Sequence, residues 1–447
     1  MKYKNKRNPV LPLEYHIPDG EAHVMSDGKL YIYGSFDDGN NEFCSKKYHV
    51  VSTSDMENWT IHDEALNGEM VPWFNNPDAP KYSGIDWMNP TPFIQKMIDK
   101  IIAEHGGSED ITEKTEKQPL LFAPDCIEKD GKYYLYFCMS DESEGVAVSE
   151  RPEGPFSQLT QLPCGGIDPA IFIDDDGKAY YYWGQIFSHG VKLNEDMMSF
   201  NSEDVIHNIL TEEEHYFHEG SSMRKIGDTY YYVYADMERG KPTALGYATS
   251  KSPLGPFTYR GIIIDNALCD PASWNNHGSI EYVNGQWYVF YHRCSRGMES
   301  YRRLCIEPIR INQDGTIDEV KMTSQGAGMP FEPEESIMGY HACELKGTVY
   351  IGPDEKYGEK LMNISNGDEA VFRYVKSEKA YSEIEIIATG TGTIDIVMNG
   401  EVAGSVQIKE GKQITSRIYK DPGEYEVVLR FDEVEKFEIM QIKFKVS

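Results

Sequence analysis

The chain has 447 residues, and 43 Lys and Arg stand against 73 Asp and Glu, a net charge of −30. That balance excludes nucleic acid and anionic membrane surfaces as natural partners, because both carry the same sign of charge. The length exceeds one typical domain and suits a large β unit followed by a second module.

The amino terminus, MKYKNKRNPVLPLEYHIPDG, carries basic residues but no apolar core of about 7–15 residues, so it does not read as a signal peptide. No apolar run approaches the ~18 residues of a membrane span. Cys44, Cys126, Cys138, Cys164, Cys269, Cys294, Cys305 and Cys343 are scattered without metal-ligand spacing. Reduced thiols and a cytoplasmic location follow as expectations.

From residue 27 onward, a turn glycine beside Asp or Asn is followed at once by a tyrosine-rich strand. The copies are DGKLYIYGS (27–35), DGKYYLYF (130–137), DGKAYYYWG (176–184), GDTYYYVYA (227–235) and NGQWYVFYH (284–292). The glycines tolerate the positive φ of tight hairpins, and a unit recurring at such a period marks a repeat architecture. Five antiparallel units predict an all-β, five-bladed β-propeller over residues 1–322. The widest gap, between blades 1 and 2, holds DWMNP (86–90), an expected helix over 92–105 and the charged, solvated stretch SEDITEKTEK (108–117). This insertion either roofs a site, decorates the edge or makes a dimer contact, which leaves a homo-oligomer open.

After a Gly-, Pro- and acid-rich linker (323–337), residues 338–447 read as short alternating strands. That pattern predicts a β-sandwich of jelly-roll type. Trp59, Trp73, Trp87, Trp183, Trp274 and Trp287 all precede it, which favours a structural role over sugar binding.

Just upstream of each turn lies a short strand with one chemically capable residue near its start. The segments PDGEAHVMSDG, APDCIEKDG, IDPAIFIDDDG, HEGSSMRKIG and NHGSIEYVNG contribute Asp19, Asp125, Asp168, Glu219 and His277. The first strand of a propeller blade lines the central axis, so equivalent positions ring one end of the channel. Any one of these residues reads equally well as a turn or strand-start residue. Five in near-register, four of them acidic, read as a site.

These motifs, in this order, resemble glycoside hydrolase family 43 over roughly residues 8 to 320. The match rests on Asn8-Pro9 and Asp19, on Asp168 in GGIDPAIF, on Glu219 in HEGSSM, and on His277 in NNHGSIEYVNGQWYVFYH. DWMNP is similar to a motif of family 32 fructan hydrolases, but it falls after the first blade and lacks the following Asp. The family 43 resemblance implies Asp19 as general base, Glu219 as general acid, and Asp168 as a third carboxylate that keeps Glu219 protonated and oriented. It implies a histidine, His277, that helps hold a water-coordinated cation, often calcium; calcium prefers oxygen, so the histidine acts partly through water, and a satisfied core histidine is an equal alternative. It gives Asp125 a structural role. In SYRRLCIEP (300–308) one arginine reaches the site; strand alternation admits only one, and Arg303 is preferred to Arg302. Trp73, Trp87 and Trp183 are the candidate sugar platforms. The implied activity is an inverting exo-glycosidase releasing β-D-xylose or α-L-arabinofuranose from xylan-derived oligosaccharides, with no cofactor needed for chemistry and a structural calcium ion in the channel. Other family activities, and a non-catalytic sugar-binding propeller, are the alternatives. The sandwich resembles carbohydrate-binding module family 6 in architecture.

Overall fold

A computed structural model describes residues 1–39, 42–84, 92–96, 118–409 and 413–447. Its first part is a five-bladed β-propeller. Blade 1 comprises Glu21–Val24, Leu30–Tyr33, Lys47–Thr53 and Asn58–Asn67, with Lys2–Lys4 added at the outer edge. Blade 2 runs Asp125–Lys129, Lys132–Cys138, Ser143–Ser149 and Ser157–Gly165. Blade 3 runs Ala170–Ile173, Ala179–Trp183, Phe187–Lys192 and Ile206–Thr211. Blade 4 runs Phe217–Ile226, Thr229–Asp236, Ala244–Ser250 and Thr258–Asp265. Blade 5 has Ser279–Val283, Gln286–Ser295 and Met298–Ile309.

The repeat glycines sit at the first hairpin of every blade. Gly28, Gly131, Gly177 and Gly227 have φ of 78°, 74°, 80° and 58°, and a Cβ added at any of them would meet nothing within 4 Å. Backbone conformation, and not crowding, therefore selects glycine there. The tyrosines do two things at once. Tyr136, Tyr182 and Tyr234 bury their rings between blades, while their hydroxyls donate to the carbonyls of Met197 (2.6 Å), Pro253 (2.7 Å) and His215 (2.6 Å). An aromatic body with a satisfied polar tip fills a blade interface without leaving an orphaned donor.

The ring closes through its first and last blades. Gly20 and Gly278 form a parallel bridge, and Ser279 Oγ donates to Gly20 O at 2.8 Å. The amino-terminal segment runs along the outer strand of blade 5, with Val10 N donating to Leu304 O at 3.1 Å. Asn8 adds side-chain bonds to Ile306 O and Glu307 at 3.1 and 2.9 Å.

Of the helix expected over 92–105, residues 92–96 are helical. Its remainder, DWMNP with Trp87, and SEDITEKTEK lie outside the described residues.

From Ile337 onward the strands share one curled sheet around a single core that includes Phe372, Ile384, Ile394, Leu429, Ile439 and Phe444. Tyr381–Met398 and Gly423–Val446 pair along most of their length, and register shifts between Thr389 and Thr393 mark where the ladder breaks. Such irregularities bend a long ladder, letting it fold over its own apolar face as a sandwich. This sandwich packs on the propeller: Cys343 and Val371 join a cluster with Ile263, Cys269 and Cys294. All eight cysteines are free and buried.

Candidate active site

The starts of the inner strands converge at one mouth of the propeller channel. Asp19, Asp168, Glu219, His277 and Arg302 line one pocket of about 240 Å³, together with Phe43, Cys44, Gln185, Trp274 and Asn275. Asp19 and Asp168 both adopt left-handed backbone conformations, with φ of 58° and 56°. For a residue other than glycine such a conformation costs energy and is held only by its surroundings, a feature that gathers at functional sites.

Asp19 is buried and fully engaged. Its Oδ2 accepts from Ser35 Oγ at 2.6 Å and its Oδ1 from Arg302 Nη1 at 2.8 Å. His292 Nδ1 stands 3.4 Å from the same Oδ1. Burial by itself would raise the Asp19 pKa, but Arg302, the two neighbouring histidines and these bonds outweigh it and hold the carboxyl well below its usual range. Arg302 is in turn clamped by Asp37, whose two oxygens accept from its Nε at 3.0 Å and Nη2 at 2.9 Å. This fork-on-fork contact fixes the guanidinium plane and aims the remaining nitrogen at Asp19.

Asp168 has the opposite electrostatic setting. Burial, followed by the charges of Glu219 and Asp19, pushes its pKa well above the carboxylate range. Its Oδ2 accepts from the Gly220 amide at 3.0 Å, the residue directly after Glu219. Glu219 itself accepts from Gln185 Nε2 at 2.8 Å and Asn275 Nδ2 at 3.2 Å, so both of its oxygens are oriented by side-chain amides. Three carboxyls in one pocket thus occupy three distinct environments: one ion-paired to arginine, one desolvated beside a like charge, one held by two side-chain amides with His218 Nε2 4.0 Å away.

His277 lines the pocket, its Nδ1 3.6 Å from Asp168 and 3.8 Å from Asp19. Burial lowers its pKa. Among the described residues, the cluster with metal-ligand spacing lies one layer deeper and is made by Glu21, His23 and Asp125; His277 is not part of it. Asp125 accepts from the amides of Ile171 (2.7 Å) and Cys126 (2.6 Å), tying blade 2 to blade 3.

Several side chains fall elsewhere than the sequence reading put them. Arg303 points away from the pocket and pairs with Glu359 of the sandwich; Arg302 takes the inward place. Alternation along Met298–Ile309 does admit only one, and it is Arg302, because Arg303 turns to meet Glu359. Trp73 is buried between blades 1 and 2, stacked on Phe137 at 6.0 Å and bonded to Ser143 at 3.1 Å. Trp183 stacks between Tyr181 and Phe200 inside the blade 2–3 core. Neither borders the pocket. Trp274 does, with 46% of its surface exposed. Asp37, Gln185, Asn275 and His292 were also missed. Trp274 and Asn275 stand only three and two residues before His277, a proximity that could have flagged them.

A β-propeller with a ring of carboxyls at one channel mouth is the frame of a glycoside hydrolase. Residues 105–317 match the profile of glycosyl hydrolases family 43. A xylosidase/arabinosidase of Bacteroides ovatus is 30% identical over 368 residues, spanning 70% of this chain and 97% of that protein. A xylosidase/arabinosidase of Thermoclostridium stercorarium is 29% identical and spans 91% of both chains. Among solved structures, a family 43 β-xylosidase/α-arabinofuranosidase from a compost microbial metagenome, in complex with xylotriose and in calcium-free form, has 28% identity and a TM-score of 0.55. It covers 72% of this chain and 99% of its own. The chain belongs to glycosyl hydrolases family 43.

Proposed function

We propose that the chain is an inverting exo-glycosidase that removes a terminal pentosyl group, β-D-xylosyl or α-L-arabinofuranosyl or both, from xylan- or arabinoxylan-derived oligosaccharides. The observation that carries this reading is the electrostatic division of the three carboxyls. Inversion needs an ionised carboxylate to take a proton from water and a carboxylic acid to give one to the leaving oxygen. Asp19, ion-paired to Arg302, is the group kept ionised and serves as base. Glu219, presented by Gln185 and Asn275, is the acid. Asp168, bonded to the Gly220 amide beside it, positions Glu219 and sets the charge it faces.

The pocket size supports end-on attack. A cavity of about 240 Å³ is below the ~300–1,000 Å³ of sites for drug-sized ligands and suits one sugar ring. Its polar floor of His277, Arg302 and Asp168 gives hydroxyls their partners. Trp274, exposed at the rim, offers an apolar face to the next ring. Relatives named xylosidase/arabinosidase, β-xylosidase and arabinoxylan arabinofuranohydrolase support a pentose, while one is named a β-D-galactofuranosidase. No step is assigned to a metal ion.

The reading is tested by screening 4-nitrophenyl β-D-xyloside, α-L-arabinofuranoside and β-D-galactoside on one preparation, and by following the first-formed anomer by proton NMR. Release of α-xylose from a β-xyloside is expected; retained configuration, or no hydrolysis of either pentoside, would overturn it.

A further inference from the structure

Glu219 is preceded by a histidine, and the two side chains meet. In a regular strand neighbouring residues point to opposite faces. The ladder between Phe217–Ile226 and Thr229–Asp236 shifts register on both sides of Glu219, between Phe217 and Glu219 and again between Glu219 and Ser222. Bulges of this kind re-aim side chains beside active sites. Here they leave His218 Nε2 4.0 Å from Glu219 Oε2.

The histidine is held from its other side. His218 Nδ1 lies 3.0 Å from Glu212 Oε2; a carboxylate only accepts, so Nδ1 carries the hydrogen and Nε2 is the atom turned to Glu219. Glu212 opens a single helical turn, Glu212–His215, which Thr211 caps and Tyr216 ends with a left-handed φ of 58°. Glu212 N donates to Ile186 O at 3.0 Å, and Ile186 N donates to His218 O at 2.6 Å. The turn is thereby tied to the loop of Gln185, which donates to the same Glu219 Oε2. The side chains of Glu212, His218 and Glu219 are 15%, 17% and 12% exposed, so water screens this line of three only in part.

Burial disfavours the charged imidazole, but the bond to Glu212 and then the charge of Glu219 outweigh it and raise the His218 pKa. His218 is thus a cation through the acid range in which carboxyls titrate. Among the described residues, the other titratable groups that share the pocket with Glu219 are Asp19, Cys44, Asp168, His277 and Arg302, and none of them contacts Glu212.

We propose that His218, held by Glu212, is a positioning residue for the acid: it steadies the Glu219 carboxyl against Gln185 and sets the pH up to which Glu219 keeps its proton. The inference rests on the acid role given to Glu219 above. Its sign is fixed: a neighbouring cation favours the ionised carboxylate, so removing the cation lets Glu219 hold its proton to higher pH.

The test has two arms. In the first, kcat/KM for xylotriose, whose leaving group needs protonation, is followed against pH in the natural enzyme, His218→Gln and Glu212→Gln. The alkaline limb is expected to rise by ~1–3 units in His218→Gln, and by less, in the same direction, in Glu212→Gln. A limb that stays in place, or activity lost equally at every pH, overturns the proposal. The second arm needs no sugar. The His218 ring, assigned by its loss in His218→Gln, is titrated by NMR in the natural protein and in Glu219→Gln. The coupling is mutual, so the His218 pKa is expected to fall when Glu219 loses its charge. An unchanged His218 titration overturns the proposal even where no pentoside is cleaved. The expected fall, in a natural protein that cleaves no pentoside, upholds the coupling and refutes only the activity proposed above.

Discussion

Replacing Arg302 with glutamine removes the charge that holds Asp19 ionised. The guanidinium is buried, 2.8 Å from Asp19 and doubly bonded to Asp37, so little solvent screens the contact. An arginine next to an aspartate lowers its pKa by about 1–3 units, and each unit is ~1.36 kcal/mol. With Asp19 as the proposed base, its depressed pKa is expected to place the acid limb of kcat/KM below the ordinary carboxylate value of about 3.9. The sign is fixed: a base with a low pKa stays active into acid, and losing its cation moves the limb upward. For Arg302→Gln the limb rises by ~1–3 units. The assay is kcat/KM for 4-nitrophenyl β-D-xyloside against pH, which reports groups of the free enzyme. Asp37 loses its partner in the same variant, and breaking a buried pair costs about 3–5 kcal/mol. Near-UV circular dichroism therefore accompanies the profile, and Arg302→Lys, which retains charge but not the fork, should keep the limb near its natural place. An acid limb that does not move in folded Arg302→Gln, with activity lost equally at every pH, would remove Asp19 from the role of base.

Glu219→Ala should slow poor leaving groups most, because they need protonation, whereas Asp19→Ala abolishes turnover on all substrates; equal losses on aryl glycosides and xylotriose would contradict that division. Trp274→Ala should raise KM for xylotriose about tenfold, a loss of ~1.4 kcal/mol, with kcat little changed; an unchanged KM would deny it a stacking role. Glu359→Gln leaves Arg303 and Arg296 short of a counter-charge and should lower unfolding stability by about 3–5 kcal/mol in urea titrations; a loss under ~1 kcal/mol would make the contact incidental. The sandwich should not bind polymer: residues 338–447 in affinity gels are expected to show no retardation by xylan, and clear retardation would make it a targeting module.

The parts legible in the sequence are those that repeat. A glycine with φ near 80° before a tyrosine-rich strand recurs at Gly28, Gly131 and Gly177, and that local chemistry declares a hairpin wherever it stands. Once the hairpins are equivalent, so are the residues ahead of them, and Asp19, Asp168, Glu219 and His277 come together for that reason. What did not repeat was not legible. Asp37 sits in FDDG, which reads as a solvated turn, and only the fold brings it 2.9–3.1 Å from an arginine 265 residues away. Trp73 and Trp183 read as platforms because an amphipathic ring near a blade mouth suits a sugar, yet their neighbours Phe137 and Tyr181 are aromatic too, and rings pack on rings. Arg302 and Arg303 differ by one position in a strand whose starting face no local signal sets.

That one-residue difference explains how the sandwich bears on the pocket. Arg303 is turned outward from the site, where Glu359, wholly buried, meets it and Arg296 together. The Arg296 guanidinium lies 4.5 Å over the Tyr301 ring, and Tyr301 OH donates to Gly39 O, beside the loop that supplies Asp37, Phe43 and Cys44. A strand cannot slip by one residue without exchanging its faces. Fixing Arg303 on the sandwich side therefore fixes Arg302 on the pocket side, and with it the hydrogen bond that keeps Asp19 ionised. The contact between Arg303 and Glu359 thus ties the second domain, through one strand, to the residue that faces Asp19.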